Sequence, residues 1–198
     1  MTKSFLLLTA LGAFALTSCD QKAATEAGAG QAADTLAAAP AAPAERPVVD
    51  LSAELTEHND KPYIVNIDQL TVQNENYRTS IWTGKYHQLT VMSIPVGGQI
   101  GLEVHPNVDQ FIRMEQGKGL CEMGDAKDNL TLSQEVMDDD AIFVPAGTWH
   151  NVTNTGDVPI KLYTVYSPAN HPAGTVQATY EEAWAEFFKE HPELAPKQ

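Results

Sequence analysis

The sequence predicts a single all-β domain of the sandwich or barrel type, and three observations support this. Short runs rich in Val, Ile, Thr, Tyr and Phe recur between Lys61 and Tyr166, separated by clusters of Gly, Pro, Asn and Asp. Hydrophobic residues make up 43% of the 198 residues and charged residues 19%, which is enough to pack one core. No helical pattern alternates with the runs, which argues against an α/β fold.

The runs predict ten short strands, and many short strands at this spacing are typical of a sandwich or barrel. The predicted strands cover residues 63–68, 79–83, 88–94, 99–105, 110–115, 119–123, 130–136, 141–144, 149–153 and 161–166. A helix is predicted over 181–190, where Trp184, Phe187 and Phe188 share one face and acidic residues fill the first turn. We expect this helix to pack on the outside of the barrel or on a second subunit.

The charge balance restricts the partners of the domain. Twelve Lys and Arg stand against 26 Asp and Glu, which gives a formal net charge of −14. Nucleic-acid binding needs a basic face to neutralise phosphates, so we do not expect a nucleic-acid partner. No apolar run reaches the roughly 18 residues of a membrane-spanning helix.

The first residues have the layout of an export signal. Lys3 precedes an apolar stretch over 5–16, which is followed by Thr17, Ser18 and Cys19. Leu16-Thr17-Ser18-Cys19 resembles the bacterial lipobox, in which the cysteine is diacylated and becomes the new N-terminus. An ordinary signal peptide with a chance cysteine, or a short N-terminal anchor, is the alternative. The prediction is a lipoprotein of the bacterial cell envelope, anchored to the membrane at Cys19 and facing the periplasm or the exterior.

A change of composition marks the domain boundaries. Twelve alanines, interleaved with Gly, Pro, Gln and Thr, lie between Asp20 and Pro47 without a repeating apolar face, which is typical of a flexible tether. The expected organisation is a signal peptide, a lipidated cysteine with its tether, a barrel, and a C-terminal helix with its tail, over residues 1–18, 19–60, 61–180 and 181–198.

Polar side chains in the predicted strands point to a buried site. Residues two apart on a strand share a face, so Glu103 and His105 point the same way. Gln110 opens the next predicted strand and can face this pair if the two strands form a hairpin. A Pro/Gly turn brings His150 to the start of a later strand. A carboxylate and two imidazoles inside a barrel need mutual pairing, a large pKa shift or a cation to offset desolvation, and a cation is the simplest explanation.

These segments resemble the two motifs of the cupin superfamily, G-x5-H-x-H-x4-E-x6-G and G-x5-P-x-G-x2-H-x3-N. The matching positions are Gly97, Glu103, His105, Gln110, Gly117, Asp139, Pro145, Gly147, His150 and Asn154. Every spacing fits, but Glu103 stands for a His, Gln110 for the Glu and Asp139 for a Gly. The resemblance implies a double-stranded β-helix, the jelly-roll barrel of cupins.

The resemblance also implies a divalent transition metal held by Glu103, His105, Gln110 and His150. The carboxylate has moved to another ligand position, yet the formal ligand charge stays at −1. Two imidazoles and one carboxylate suit ions such as Zn, Mn, Fe or Ni. Asn107 is the alternative to Gln110 if the hairpin bends differently, and a decayed site with Glu103 paired to His105 is the alternative to a metal.

Mannose-type sugar-phosphate isomerases and a uronate-converting cupin also use a glutamine in this way. The resemblance therefore implies a metal-dependent enzyme acting on a small oxygenated substrate, with sugar or uronate isomerisation favoured. A cupin dioxygenase and a non-catalytic envelope lipoprotein that binds small molecules are the alternatives. Tyr163 is the candidate acid/base group, with a core aromatic as its alternative, and His171 could cap the mouth of the barrel. Cupins often pair, so a homodimer is compatible with the sequence, although no residue specifies it.

Overall fold

The computed structural model of the protein describes residues 46–190. The predicted signal segment, Cys19 and most of the predicted tether lie outside these residues. In the described part of the chain, no helix has the length and apolar character needed to cross a membrane.

Residues 46–190 form nine strands, two α-helices and one 3-10 helix. The strands are β1 Arg78–Thr83, β2 Gln88–Ile94, β3 Asp109–Gln116, β4 Lys118–Gly124, β5 Leu132–Met137, β6 Ala141–Val144, β7 Trp149–Asn154, β8 Ile160–Ser167 and β9 Val176–Gln177. The helices are the 3-10 helix Ser52–Glu54, α1 Ile67–Gln73 and α2 Tyr180–Glu190.

The strands form two antiparallel sheets. The larger sheet has the order β6-β3-β8-β2-β1-β9 and the smaller one the order β5-β4-β7. Buried side chains of both sheets belong to one hydrophobic cluster, which fills the space between them. The all-β prediction, with a double-stranded β-helix and a C-terminal helix, is confirmed.

The interior of the barrel changes from polar to apolar along its length. Strands β3, β8 and β2 contribute paired, inward-facing residues in successive rows. The first row is polar, the second has one apolar and two polar residues, and the third is apolar: Gln110, Tyr166 and Gln88; then Ile112, Thr164 and Thr90; then Met114, Leu162 and Met92. The apolar residues of these rows belong to the core, and the polar residues cluster at one end of the barrel, where they can form a site.

The expected strand over 63–68 does not form. Asn66 instead caps α1, its side chain accepting a hydrogen bond from the Gln69 backbone N–H at 3.3 Å. Leu70 of this helix is fully buried in a second cluster on the outer face of the larger sheet. The β-rich composition of 63–68 indicated a strand, but the capping residue and the packing of Leu70 favour the helix.

Part of the expected tether packs on the domain. The backbone N–H groups of Val49 and Leu51 donate to the side chains of Gln69 and Gln73 on α1 at 3.2 and 2.8 Å. Leu51 and Leu55 also contact the second hydrophobic cluster. The packed domain therefore begins well before residue 61, because these apolar side chains cover the outer face of the sheet.

The expected strand over 99–105 is replaced by a loop with two isolated bridges to β7, made by Gln99 and Glu103. Gly101 lies between them with φ of +90°, a left-handed conformation that interrupts an extended strand. Helix α2 lies against this loop, since a Cβ on Gly101 would approach the Trp184 ring to 2.3 Å. Ala183 of α2 belongs to the barrel core, so the helix packs on the barrel.

Candidate metal centre

The backbone places Glu103 and His150 side by side. The N–H of each residue donates to the carbonyl oxygen of the other, at 3.1 and 3.0 Å. The carbonyl oxygen of His105 accepts from the Gly147 N–H at 2.9 Å. The loop that carries Glu103 and His105 is thereby fixed to the turn and strand that carry His150.

Three side chains converge from these two segments. Oε1 of Glu103 lies 3.3 Å from Nε2 of His105 and 3.6 Å from Nε2 of His150. The three ligand atoms all lie within 4.8 Å of one another. Ligand bonds of about 2.0–2.2 Å around one ion place neighbouring ligand atoms about 3–4 Å apart, so the spacing fits a common centre.

Gln110 reaches the same centre from the opposite sheet. Its Oε1 lies 2.8 Å from Nε2 of His150, while its Nε2 donates to Oγ1 of Thr164 at 3.0 Å. Strand β3 pairs with β6 and β8, so Gln110 is not the hairpin neighbour of Glu103 that the sequence suggested. Gln110 lies instead on the larger sheet, and its side chain extends across the interior of the barrel towards His150 on the smaller sheet.

A backbone hydrogen bond selects one tautomer of the neutral His150 imidazole. Its Nδ1 lies 2.9 Å from the carbonyl oxygen of Thr148, which can only accept a hydrogen bond. In the neutral imidazole the proton is therefore on Nδ1, and Nε2 presents a lone pair towards the oxygens of Gln110 and Glu103. Electron-rich atoms that converge in this way fit a cation.

The other imidazole supports the same interpretation. Nε2 of His105 is buried and has no hydrogen-bond partner among the described residues. Burial acts to raise the pKa of Glu103, but the adjacent His105 and His150 imidazoles, when they carry a proton on Nε2, outweigh burial and hold this pKa well below its usual range; a bound cation would supply the same positive charge. The donor set of one carboxylate, two imidazoles and one amide oxygen therefore fits a divalent transition metal.

Three further polar side chains surround the centre, and no role for Tyr166 or Arg78 was predicted from the sequence. The Tyr166 ring meets the His105 ring edge to face, with centroids 5.6 Å apart, and the His171 ring in the same way at 5.0 Å. Arg78 acts electrostatically on Tyr166, His171 and Glu103. Alternation on β8 could have indicated Tyr166, but only the fold brings Arg78 to this place.

Burial sets the protonation of two of these groups. It raises the pKa of Tyr166 to about 12, so the hydroxyl keeps its proton at neutral pH. Burial and the nearby Arg78 charge lower the pKa of His171 to about 3, so this imidazole is neutral. The structure places His171 against Tyr166, at the polar end of the barrel.

The expectation for Tyr163 is corrected by strand alternation. Leu162, Thr164 and Tyr166 face the interior of the barrel, so Tyr163 faces outward. There Tyr163 packs against the second hydrophobic cluster, and its ring centroid lies 6.0 Å from that of Phe111. The structure does not bring Tyr163 to the metal-ligand group.

The alternative ligand Asn107 is not buried in the centre, and the motif positions Asp139 and Asn154 have structural roles. Asn107 is exposed, whereas Gln110 is 4% exposed and points into the centre. Asp139, which stands where the motif has Gly, adopts φ of +70°, and Asp tolerates this left-handed turn better than most residues. The Asn154 amide donates to the carbonyl oxygens of Ile94 and Val158 at 3.0 and 2.9 Å, which ties two loops together.

Comparison with known proteins agrees with this architecture. The cupin domain family model matches residues 90–166. The chain is 54% identical over 136 residues to the uncharacterized protein YrkC of Bacillus subtilis, covering 69% of this chain and 73% of that protein. It is 38% identical over 123 residues to an uncharacterized protein of Acanthamoeba polyphaga mimivirus, covering 62% of this chain and 75% of that protein.

A solved structure extends the match to three dimensions. The crystal structure of BH2720 from Bacillus halodurans is 53% identical and superimposes with a TM-score of 0.65, covering 66% of this chain and 98% of that chain. The two-sheet barrel, the motif residues at its polar end and these relatives lead to one conclusion: the chain belongs to the cupin superfamily.

Proposed function

We propose that this protein is a metal-dependent cupin enzyme that acts on a small oxygenated substrate, with isomerisation of a sugar or uronate as the favoured reaction. The observation that carries the proposal is the convergence of Nε2 of His150 with the oxygens of Glu103 and Gln110. Such a group is costly to bury without a cation.

Glu103, His105, Gln110 and His150 would hold a divalent transition metal such as Zn, Mn, Fe or Ni. When bound, the ion supplies Lewis-acid polarisation of substrate oxygens. The protein orients its ligands: the Thr148 carbonyl fixes the His150 imidazole, and Thr164 accepts from the Gln110 amide so that its oxygen faces the centre.

Groups beside the ligands would bind and orient the substrate. The Tyr166 hydroxyl keeps its proton and is a hydrogen-bond donor within the barrel. The neutral His171 imidazole packs on Tyr166 and adds a second polar group without adding charge. Buried walls around these groups exclude bulk water, which strengthens each hydrogen bond to the substrate.

A dioxygenase is the second candidate, favoured by the Glu103, His105 and His150 group itself. Two imidazoles and one carboxylate form the facial set that suits non-haem iron. Oxygen consumption by the iron-loaded protein in the presence of sugar acids would support this reaction over isomerisation. A non-catalytic small-molecule-binding protein would bind such compounds without converting them.

The test of metal binding compares matched histidine variants of the full chain, purified in a mild nonionic detergent. After loading with Zn, Mn, Fe or Ni, elemental analysis should find a stoichiometric metal in the wild type and in His87→Ala, an exposed histidine outside the centre. His150→Ala and Glu103→Ala should bind the metal at least about tenfold more weakly. A wild type that retains none of the four metals would contradict the proposal.

The reaction itself is tested by proton exchange. We expect the metal-loaded wild type to introduce deuterium next to the carbonyl group of an aldose or uronate in D₂O, measured by NMR. Tyr163→Phe should leave the exchange rate unchanged, because Tyr163 packs in the cluster on the outer face of the larger sheet, away from the metal ligands. Exchange that is equally fast in metal-loaded wild type and His150→Ala would contradict catalysis at this centre.

We also propose that the chain is a lipoprotein of the bacterial cell envelope. The sequence Leu16-Thr17-Ser18-Cys19 after an apolar stretch supports this proposal. Cells that express the wild type should incorporate labelled palmitate into the protein, and Cys19→Ser should abolish the label. Label that persists in Cys19→Ser would contradict anchoring at this residue.

A further inference from the structure

A buried guanidinium lies beside the candidate metal centre without a carboxylate partner. Arg78 is 5% exposed, and its Nη1 donates to Oε1 of Gln177 at 2.8 Å. Its Nε is buried and has no hydrogen-bond partner among residues 46–190. None of the carboxylates in this part of the chain lies within 4.0 Å of Arg78, whereas Arg113 on the surface contacts both Glu115 and Asp139.

Arg78 keeps its charge in this position. Burial acts to lower its pKa, but Tyr166, Tyr77 and Glu103 outweigh burial and raise it. A buried charge without a charged partner is costly, and buried charges in proteins are normally paired. The Glu103 carboxylate already lies between two imidazoles, so it is engaged elsewhere.

The Tyr166 hydroxyl is a second buried polar group in the same place, next to Arg78. Tyr166 is fully buried, and its hydroxyl makes no hydrogen bond of ordinary geometry among the described residues, although Arg78 and Thr164 lie close enough to act on its pKa. The ring lies between His105 and His171, and Arg78 acts on it electrostatically. Tyr166 therefore connects the guanidinium to the ligand side chains.

We propose that Arg78 and Tyr166 form a carboxylate-binding subsite adjoining the metal centre, so that the substrate is a small carboxylic acid, such as a uronate, rather than a neutral sugar. This inference rests on the proposed function and narrows its substrate class. A guanidinium fork and a phenol hydroxyl match the two oxygens of a carboxylate.

Charge favours the same class of substrate. Arg78 contributes +1 to the polar end of the barrel, and Glu103 contributes −1, as does Glu57, which accepts a hydrogen bond from Ser80 beside Gln88. A divalent cation held by the ligands would still leave this end with an excess of positive charge. Lys161 does not take part, because its ammonium group donates to the Asn74 carbonyl oxygen and to Glu75 at 2.6 and 2.8 Å. An anionic substrate would neutralise part of the excess, whereas a neutral sugar would not.

The experiment compares ligands that differ only in the carboxylate. D-Galacturonate and D-galactose, and glycolate and ethylene glycol, are titrated by calorimetry into the full chain loaded with Zn²⁺ in nonionic detergent. We expect each acid to bind the wild type at least about tenfold more tightly than its neutral counterpart, as charge-assisted hydrogen bonds allow. D-Galactose 6-phosphate is included to distinguish a phosphate site from a carboxylate site.

Three variants locate the effect. Arg78→Met should remove the preference for the acids, and Tyr166→Phe, which keeps the ring, should weaken the binding of the acids several-fold. Arg113→Met removes an arginine that binds carboxylates on the surface, and it should leave the preference unchanged. Elemental analysis should show that all three variants still hold the metal, which is a readout independent of activity.

The outcomes separate this inference from the proposed function. If the wild type holds metal but binds neither acid below about 10 mM, or binds acid and neutral ligand equally, the subsite is overturned and the metal centre stands. Tighter binding of the sugar phosphate than of galacturonate, or an undiminished preference in both Arg78→Met and Tyr166→Phe, also overturns it. If the wild type holds no metal but shows the Arg78-dependent preference, the subsite stands and the metal-dependent function fails.

Discussion

Replacement of Gly101 by alanine tests how helix α2 supports the loop that carries Glu103. Gly101 has φ of +90°, and a Cβ placed there would lie 2.3 Å from Cζ2 of Trp184. Two costs therefore act together: the left-handed backbone, and the displacement of the indole ring from the loop.

The magnitude of each cost follows from the structure. A left-handed conformation costs an L-residue about 1–2 kcal/mol. Replacement of glycine by alanine also lowers the conformational entropy of the unfolded chain, which offsets about 0.4–1 kcal/mol of this cost. Contacts below 3.0 Å require the ring to move by about 1 Å, and overpacking of this kind costs about 1–3 kcal/mol. We expect Gly101→Ala to lower the free energy of unfolding by about 2–4 kcal/mol.

Gly97 provides the matched control. Its φ is +75°, but a Cβ there would meet no atom within 4 Å. Gly97→Ala should therefore show only the backbone cost, a net loss of about 1 kcal/mol. Urea unfolding of the metal-free full chain, followed by tryptophan fluorescence and circular dichroism, measures both variants.

A double-mutant cycle isolates the contact with the helix. Trp184→Ala should cost less stability in Gly101→Ala than in the wild type, because the clash has already displaced the ring, with a coupling of about 0.5–3 kcal/mol. Equal losses in Gly101→Ala and Gly97→Ala, together with no coupling to Trp184, would refute the view that α2 packs closely on this loop.

Two further predictions concern buried polar groups. The pKa of Glu103 is lower in the folded than in the unfolded chain, so its contribution to stability is present above the unfolded pKa of about 4.5 and is lost as the pH falls towards the folded pKa. Urea unfolding of the metal-free protein between pH 3 and 6 should therefore show a smaller acid-induced loss of stability in Glu103→Gln than in the wild type. Equal losses would refute the lowered pKa of Glu103. The Tyr77 hydroxyl donates to the Ile100 carbonyl oxygen at 2.7 Å inside the barrel, so Tyr77→Phe should cost about 1–2 kcal/mol in the same assay, and an unchanged free energy of unfolding would contradict the bond.

Several elements could be predicted from the sequence because their causes are local. The strands Gln88–Ile94 and Ala141–Val144 were predicted with the bounds observed, since β-branched and apolar runs between turn residues specify them. Helix α2 was predicted to within one residue of its observed start, because its aromatic spacing and acidic first turn specify a helix. Helix α1 was missed, since its stability depends on the Asn66 cap and on burial of Leu70 against the outer face of the larger sheet.

The site divides in the same way. Residues two apart on one segment, such as Glu103 and His105, share a face by local geometry, and the motif spacing added Gln110 and His150. The sequence alone thus determined the class of fold, the cupin resemblance and four residues that the structure brings together. Only the tertiary structure decided that Gln110 crosses from the opposite sheet, that Tyr166 rather than Tyr163 faces the interior of the barrel, and that Arg78 lies beside it without a carboxylate partner. These depend on strand pairing and barrel closure, which join residues distant along the chain and which no local pattern specifies.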